Sequence, residues 1–273
     1  MVRGIDHLVV AVKDLEAAAK AYKAFGFTVT PENRHAWGTA NRLVQLNGFF
    51  LEILTVAEAE LVPKATDDSF SFGAFNREFL NKREGASMLV LESRDPDADR
   101  AEFSQLGLRL FDPFSFGRIA NLPDGSTAEV GFDLTFIGDP LSPGTGYFTC
   151  YNKFPENFWK PAFQSHDNGA AEIKTIYMLA EDPSDHHEFL GGFTGQREMR
   201  ATSLGLEVDT PRGKISVLNP DAYRMLIGDE AANAVTGDLP QIVAIEIGCK
   251  DLAEPKLIPA SDLFGLTLIL SPL

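Results

Sequence analysis

Ile5, His7, Val9 and Ala11 alternate with Asp6, Leu8, Val10 and Val12, and the β-branched content predicts a largely covered strand with His7 on one face. Asp14 is placed to cap a helix in which Leu15, Ala18, Ala19, Tyr22 and Phe25 recur at three- and four-residue steps. Gly26 can take the left-handed conformation that ends it. Three further strands are predicted at Phe27–Pro31, Asn41–Leu46 and Phe49–Val56, with Asn47-Gly48 as the hairpin turn between the last two. The first unit therefore reads strand, helix, three strands.

The same pattern returns at a constant offset of 81 residues, from Gly4 to Gly85, His7 to Met88, Asp14 to Asp95, Tyr22 to Phe103 and Gly26 to Gly107. The unit ends are matched through their turns: Asn47-Gly48 leads to Glu52 as Asp124-Gly125 leads to Glu129. This puts the two carboxylates at equivalent points of the last strand of each unit. Residues 57–84 between the units carry Phe72, Phe75, Phe79 and Leu80 on a predicted helix, read as a cover on the sheet or a wall beside a pocket.

A turn-rich passage from Gly138 to Gly146 predicts a domain boundary, with domains at 1–140 and 141–273. After a strand at Gly146–Asn152, the aromatic helix Phe154–Trp159 is expected to dock one domain on the other. The rhythm then starts a third time at Ile173–Leu179 and a fourth at Ile242–Ile247, where Pro255 aborts the helix. Short strands joined by single helices, as repeated βαβββ units, describe an α+β protein with two curved, cupped mixed sheets.

At 273 residues the chain can bury one large core or two ordinary ones, and the repeat favours two. A formal charge of -15 opposes unspecific attraction to nucleic acid or an anionic membrane. A local cluster such as Arg34 with Arg42 still leaves room for a small anionic substrate. No stretch approaches the roughly 20 apolar residues of a membrane span, and the amino terminus leads straight into a strand pattern. Residence in the cytoplasm, with Cys150 and Cys249 as isolated buried thiols, is the expectation.

If each pair of units forms one half-open sheet, His7, Glu52, Met88 and Glu129 converge at its centre. One imidazole and two carboxylates suit a divalent zinc, manganese, nickel or iron ion with positions open to substrate. The ion would stabilise an enediolate oxygen while a carboxylate, Glu52 or Glu129, moves the proton.

Taken together, Gly4 through about Phe136 resembles the vicinal oxygen chelate superfamily, in its glyoxalase-like members (the glyoxalase, bleomycin resistance and extradiol dioxygenase type). That resemblance implies a glyoxalase-like fold with metal ligands from the first and last strands of each unit, so that His7, Glu52, Met88 and Glu129 occupy the four ligand positions. Met88 departs from the pattern, because a thioether is a poor ligand for a hard ion. A site of His7, Glu52 and Glu129 remains, with Met88 beside it. The run from His35 to Asn41 also resembles longer glyoxalase-like proteins and puts His35, Trp37, Thr39 and Asn41 in the substrate pocket; Thr39 and Asn41 read equally as satisfying backbone groups in a turn.

In the third and fourth units Lys174 and Ala244 fall near the position of His7, and Ser216 and Thr267 near the terminal carboxylates, so no metal set survives there. The second domain is then a degenerate copy used for stability, for a homodimer contact or as a wall of the groove. His166 to Gly169 reads as a turn, and His186-His187 as surface. Two functions follow: a metal-dependent lyase, isomerase or dioxygenase acting on a small oxygenated compound, or a non-catalytic protein that sequesters a small molecule in the same groove.

Overall fold

The computed structural model describes residues 1–121 and 127–273, and the expected Asp124-Gly125 turn lies outside them. The first half contains β1 (Ile5–Ala11), α1 (Leu15–Ala24), β2 (Asn33–Arg34), β3 (Thr39–Gln45), β4 (Phe50–Val56), α2 (Phe72–Lys82), β5 (Gly85–Glu92), α3 (Pro96–Gln105), β6 (Arg109–Leu110), β7 (Phe114–Asn121), β8 (Thr127–Gly138), β9 (Gly146–Asn152) and α4 (Pro155–Phe158). The second contains β10 (Ala170–Leu179), α5 (His187–Thr194), β11 (Arg200–Thr202), β12 (Gly205–Asp209), β13 (Lys214–Leu218), α6 (Pro220–Ile227), α7 (Asp229–Ala234), β14 (Gln241–Cys249), β15 (Lys256–Ile258) and β16 (Thr267–Pro272). Local chemistry accounts for the helix starts: Asp14, Ser71, Asp95 and Asn219 each accept a backbone N–H of the first turn.

The strands form two mixed, open sheets. The first runs β2-β3-β4-β1-β5-β9-β8-β6, with β7 paired to β8; the second runs β11-β12-β13-β10-β14-β16-β15. In each, two βαβββ-like units meet at an antiparallel seam. At the first seam His7 lies opposite Val90, Leu8 opposite Leu89 and Val9 opposite Met88. Exchange of the two strands turns the first pair into the third, so Met88 is the symmetry counterpart of His7, as the constant offset predicts. Ile176 opposite Ile245 plays the part of Leu8 and Leu89 in the second sheet.

The end of the second unit differs from the expectation. Its last strand is β9, parallel to β5, as β4 is parallel to β1. Glu52 lies beside Val9, and Phe148 lies beside Val90, so the counterpart of Glu52 is Phe148 and not Glu129. The Asn-Gly and Asp-Gly matches misled because of their place in chain order: the first precedes β4, the last strand of its unit, and the second precedes β8, one strand early. β9 also carries the first sheet past the expected division at 140/141.

Strand alternation sends one face of the first sheet to a shared core and the other to a cup. Leu8, Val10, Leu89 and Leu91 pack in one continuous cluster with Ile176, Ile215 and Ile245 of the second sheet. Tyr22 of α1, Phe103 of α3 and Phe193 of α5 complete it. The two sheets thus share a core in place of the two separate cores expected. Arg3 crosses the junction: fully enclosed, it donates to Asp99 at 2.8 Å, Glu102 at 2.6 Å and the Phe193 carbonyl at 3.1 Å.

The second cup is filled. Tyr223 and Ala222 of α6 and Ala231 of α7 pack with Leu179, Leu218 and Ala244. By register the counterparts of His7, Glu52, Met88 and Phe148 are Thr175, Ser216, Ala244 and Ile269. Ser216 and Ala244 stand where the sequence puts them, whereas Lys174 and Thr267 are displaced by one and two residues. Among the described residues no helix is long and apolar enough to cross a membrane.

His166 is a structural staple. Its Nδ1 accepts the Thr28 N–H at 2.9 Å and its Nε2 faces the Gln45 carbonyl at 2.7 Å. Gly169 closes the same turn at φ +74°, where a Cβ would stand 2.3 Å from the Lys250 carbonyl oxygen. Gly169→Ala should therefore cost at least about 2 kcal/mol, from the positive φ and the backbone collision together. Urea unfolding checks this, and wild-type stability in the variant would show that the turn is not under that constraint.

Candidate active site

The cup of the first sheet encloses a cavity of about 60 Å³, lined by His7, His35, Asn41, Glu52, Arg118 and Cys150 and by aromatic side chains from every side. Phe50 and Phe148 come from β4 and β9, Phe114 and Phe116 from β7, and Phe132 from β8. The helices close it: α2 contributes Phe72 and α4 contributes Phe158. Phe154–Trp159 is therefore a wall of the cup, where docking between domains was expected. Trp37 stacks on His35 at 4.6 Å between ring centroids, and its indole N–H is buried without an acceptor among the described residues.

His7 is held on three sides. Its ring stacks on Phe50 at 4.2 Å and meets the edge of Phe148 at 5.4 Å. Nδ1 lies 2.6 Å from Asp6 Oδ2, so the carboxylate orients the ring with an N–H at Nδ1. Adjacent strand residues ordinarily point apart, but the β1/β5 register shifts between Ile5 and His7, and there Asp6 meets its neighbour. Nε2 then faces Glu52 Oε2 at 3.8 Å, too far for a hydrogen bond, so both side chains present a polar atom to the cavity.

Glu52 is buried in apolar surroundings, and burial raises its pKa above the ordinary carboxylate value. His7, a 2.6 Å hydrogen bond from Asn41 and the charge of Arg118 oppose the shift without cancelling it. Asn41 is itself fixed by Asn33, which donates to its Oδ1 at 3.2 Å. His35 is lowered to about 4, first by burial and then by Arg118. Its Nδ1 lies 2.8 Å from Thr39 Oγ1, so Thr39 holds a pocket residue and is not itself part of the wall. Burial keeps the Cys150 thiol protonated, helped by Asp6, Glu52 and Asp133.

Of the residues expected at the site, His7, Glu52, His35, Trp37 and Asn41 meet in the cavity. Met88 does not reach it; the side chain is fully buried and lies against Gly146. Glu129 is exposed, paired with Ile119, while Val130, Phe132 and Leu134 of the same strand are buried. One residue of strand register separates an inward from an outward side chain, and Glu129 is on the outward parity. His186, expected at the surface, is buried with Nδ1 3.6 Å from Asp139.

The donor set does not fit a divalent metal ion. His7 and Glu52 are two donors where three or four are needed. Met88 and Glu129 are elsewhere, and Arg118 brings a positive charge to the carboxylate that would face the ion. Among the described residues no group of three or more His, Cys, Asp or Glu could hold one. The sequence reading missed Asp6 and Arg118. For Arg118 a signal existed: Phe114, Phe116 and Arg118 alternate, as a strand with one aromatic, cation-tipped face would.

A family model described as a glyoxalase-like domain matches residues 5–193. No curated protein matches the chain by sequence. Among solved structures, a hypothetical protein from Staphylococcus aureus is similar over 100% of both chains at 12% identity and a TM-score of 0.75. A xylose isomerase-like TIM barrel/4-hydroxyphenylpyruvate dioxygenase fusion protein is similar over 92% of this chain and 37% of its own, at 13% identity and a TM-score of 0.53. Methylmalonyl-CoA epimerase from Mycobacterium tuberculosis matches 54% of this chain and 87% of its own, at 20% identity and a TM-score of 0.38. At these identities the first two show the fold alone.

Two titrations test the electrostatics. A carboxylate whose folded pKa is raised contributes stability that is complete below its unfolded pKa and lost as pH rises through the folded one. Glu52→Gln keeps the Asn41 hydrogen bond without the charge, so it should be more stable than wild type at pH 7. The difference should vanish below the ordinary value of 4.5. A less stable variant at pH 7 would show that His7 and Arg118 fully compensate the charge. His35 has the opposite sign: its folded pKa is depressed, so wild type should lose stability relative to His35→Gln as pH falls from 6.5 toward about 4. The ceiling is about 3 kcal/mol, and parallel urea curves over that range would refute it.

Proposed function

Because the chain belongs to the glyoxalase-like domain family, we propose that it is an enzyme of that fold which moves a proton on a small carbonyl compound without a metal ion. The observation that carries the reading is His7 Nε2 facing Glu52 Oε2 across 3.8 Å in an apolar cavity, with Arg118 beside the carboxylate. Two proton carriers side by side at one cavity suit removal of a proton from carbon and its return to a second position. Burial strengthens Glu52 as a base, since a raised pKa brings its proton affinity toward the working pH.

In this scheme Glu52 takes the proton from the carbon next to the carbonyl. The electrons of that C–H bond form the enolate C=C, and the carbonyl oxygen becomes negative. Arg118 and the indole N–H of Trp37 are the groups that stabilise the oxyanion in place of a metal ion. Glu52 passes that proton to Nε2 of His7, whose Nδ1–H is held by Asp6, and the imidazolium so formed returns it to the enolate carbon or to a neighbouring atom, which leaves both groups as they began. The products are isomers or epimers of the substrate. Aromatic walls favour a substrate with a flat apolar body.

Solvent exchange tests this directly. With phenylpyruvate and a panel of aryl ketones in heavy water, followed by proton NMR, wild type should accelerate exchange at the carbon next to the carbonyl. Glu52→Gln should slow it at least about a hundredfold, a chelator should change nothing, and Glu129→Ala should match wild type. Loss of exchange on chelation, restored by zinc or manganese, would return the metal-dependent reading. Tight binding of panel members with no exchange in any would make the protein a sequestering one.

A further inference from the structure

The cup opens across Leu43, Arg118 and Phe158 into a second, larger groove of about 340 Å³, and these three residues belong to both. Among the described residues, Arg34, Arg118 and Lys160 line the outer groove against one lining carboxylate, Glu32. That is an excess of cations in a chain with 24 basic and 39 acidic residues. The three are not equivalent. Arg34 is engaged by Glu32 at 2.9 Å and Glu58 at 3.0 Å, so its charge is largely answered. Lys160 Nζ donates to the carbonyl of Glu156 at 2.8 Å, which anchors the ammonium without neutralising it. Arg118 stands between the compartments, with Glu52 on the cup side.

We propose that the outer groove binds the anionic group, a carboxylate or a phosphate, of a molecule whose apolar end enters the cup, with Lys160 and Arg118 as the recognising cations. The contrast of the two compartments supports the division of labour. The cup is walled by aromatic side chains and has few polar atoms, whereas the groove adds Asn33, Gln45 and Asn157 to its cations. An anion driven into the cup would meet the buried Glu52 and lose its solvation. In the groove it keeps part of its water and gains two cations. The ligand is thus a bifunctional molecule, apolar at one end and acidic at the other. This deepens the proposed function by naming a substrate class, yet it rests only on the cup being the site of the apolar end.

The two tryptophans of the chain report occupancy, since Trp37 lines the cup and Trp159 lies 4.9 Å from Phe158 and 5.9 Å from Phe50. Fluorescence titration compares phenylbutanoate, phenylbutyl phosphate and the neutral phenylbutanamide at low and high salt. Both proposed cations predict that an anion binds about tenfold more tightly than the amide, with the preference weakening in salt. Lys160→Met should erase most of that preference, Lys160→Arg should retain it, and neither should change the amide. The stronger of the two anions identifies carboxylate or phosphate as the group read. Equal affinity of amide and anions, a preference unchanged in Lys160→Met, or no response to any of the three would overturn the proposal. Binding requires no turnover, so these outcomes are independent of the exchange measurement on Glu52.

Discussion

The antiparallel seam at Leu8 and Leu89 sets the rest of the structure. Because side chains alternate along a strand, fixing that pair toward the shared core fixes His7, Val9, Met88 and Val90 toward the cup. The seam also joins two units into one sheet and puts their last strands, β4 and β9, on opposite flanks. A slip of one residue would bury Asp6 and His7 in the core and expose Leu8, which the hydrophobic term forbids. The site therefore inherits its geometry from packing that has nothing to do with chemistry.

Within that frame the two halves of the cup have diverged. The first unit supplies His7 and Glu52, and at the symmetry-related positions the second supplies Met88 and Phe148. Half of a four-ligand arrangement is thus apolar. The remaining carboxylate is balanced by an imidazole, an amide and a guanidinium, none of which asks for a metal ion. Arg118 arrives from β7, the second unit's counterpart of β2, at the margin of the sheet away from the seam. Burial of Glu52 costs free energy, and its neighbours return only part of it.

The second sheet shows the same topology with its cup closed by α6 and α7. There Thr175, Ser216, Ala244 and Ile269 occupy the four positions, small or apolar groups that pack without an open space. Its back completes the core of the first sheet, and Arg3 locks the junction through Asp99, Glu102 and the Phe193 carbonyl. A large apolar face against the first sheet keeps that sheet rigid, which holds the pair formed by His7 and Glu52 in position.

The sequence by itself determined the repeat, the strand-helix rhythm, the Asp14 cap and the placing of His7 on one face of its strand. Those follow from local periodicity and from an offset that runs without a gap through a strand and a helix. It also pointed to the neighbourhood of His35, Trp37 and Asn41: Asn41 lies on β3 beside the β4 strand of Glu52, and His35 and Trp37 lie in the turn that leads into β3. Tertiary structure alone decided which strand ends the second unit, because a parallel neighbour for β5 is chosen by sheet pairing and not by the resemblance of two turns. That choice put Phe148 where Glu129 was expected and left Glu129 on the outward parity of β8. It alone brought Asp6 to His7, through a register shift no periodicity encodes, and Arg118 to Glu52, across a distance in sequence that only the closing of the cup removes.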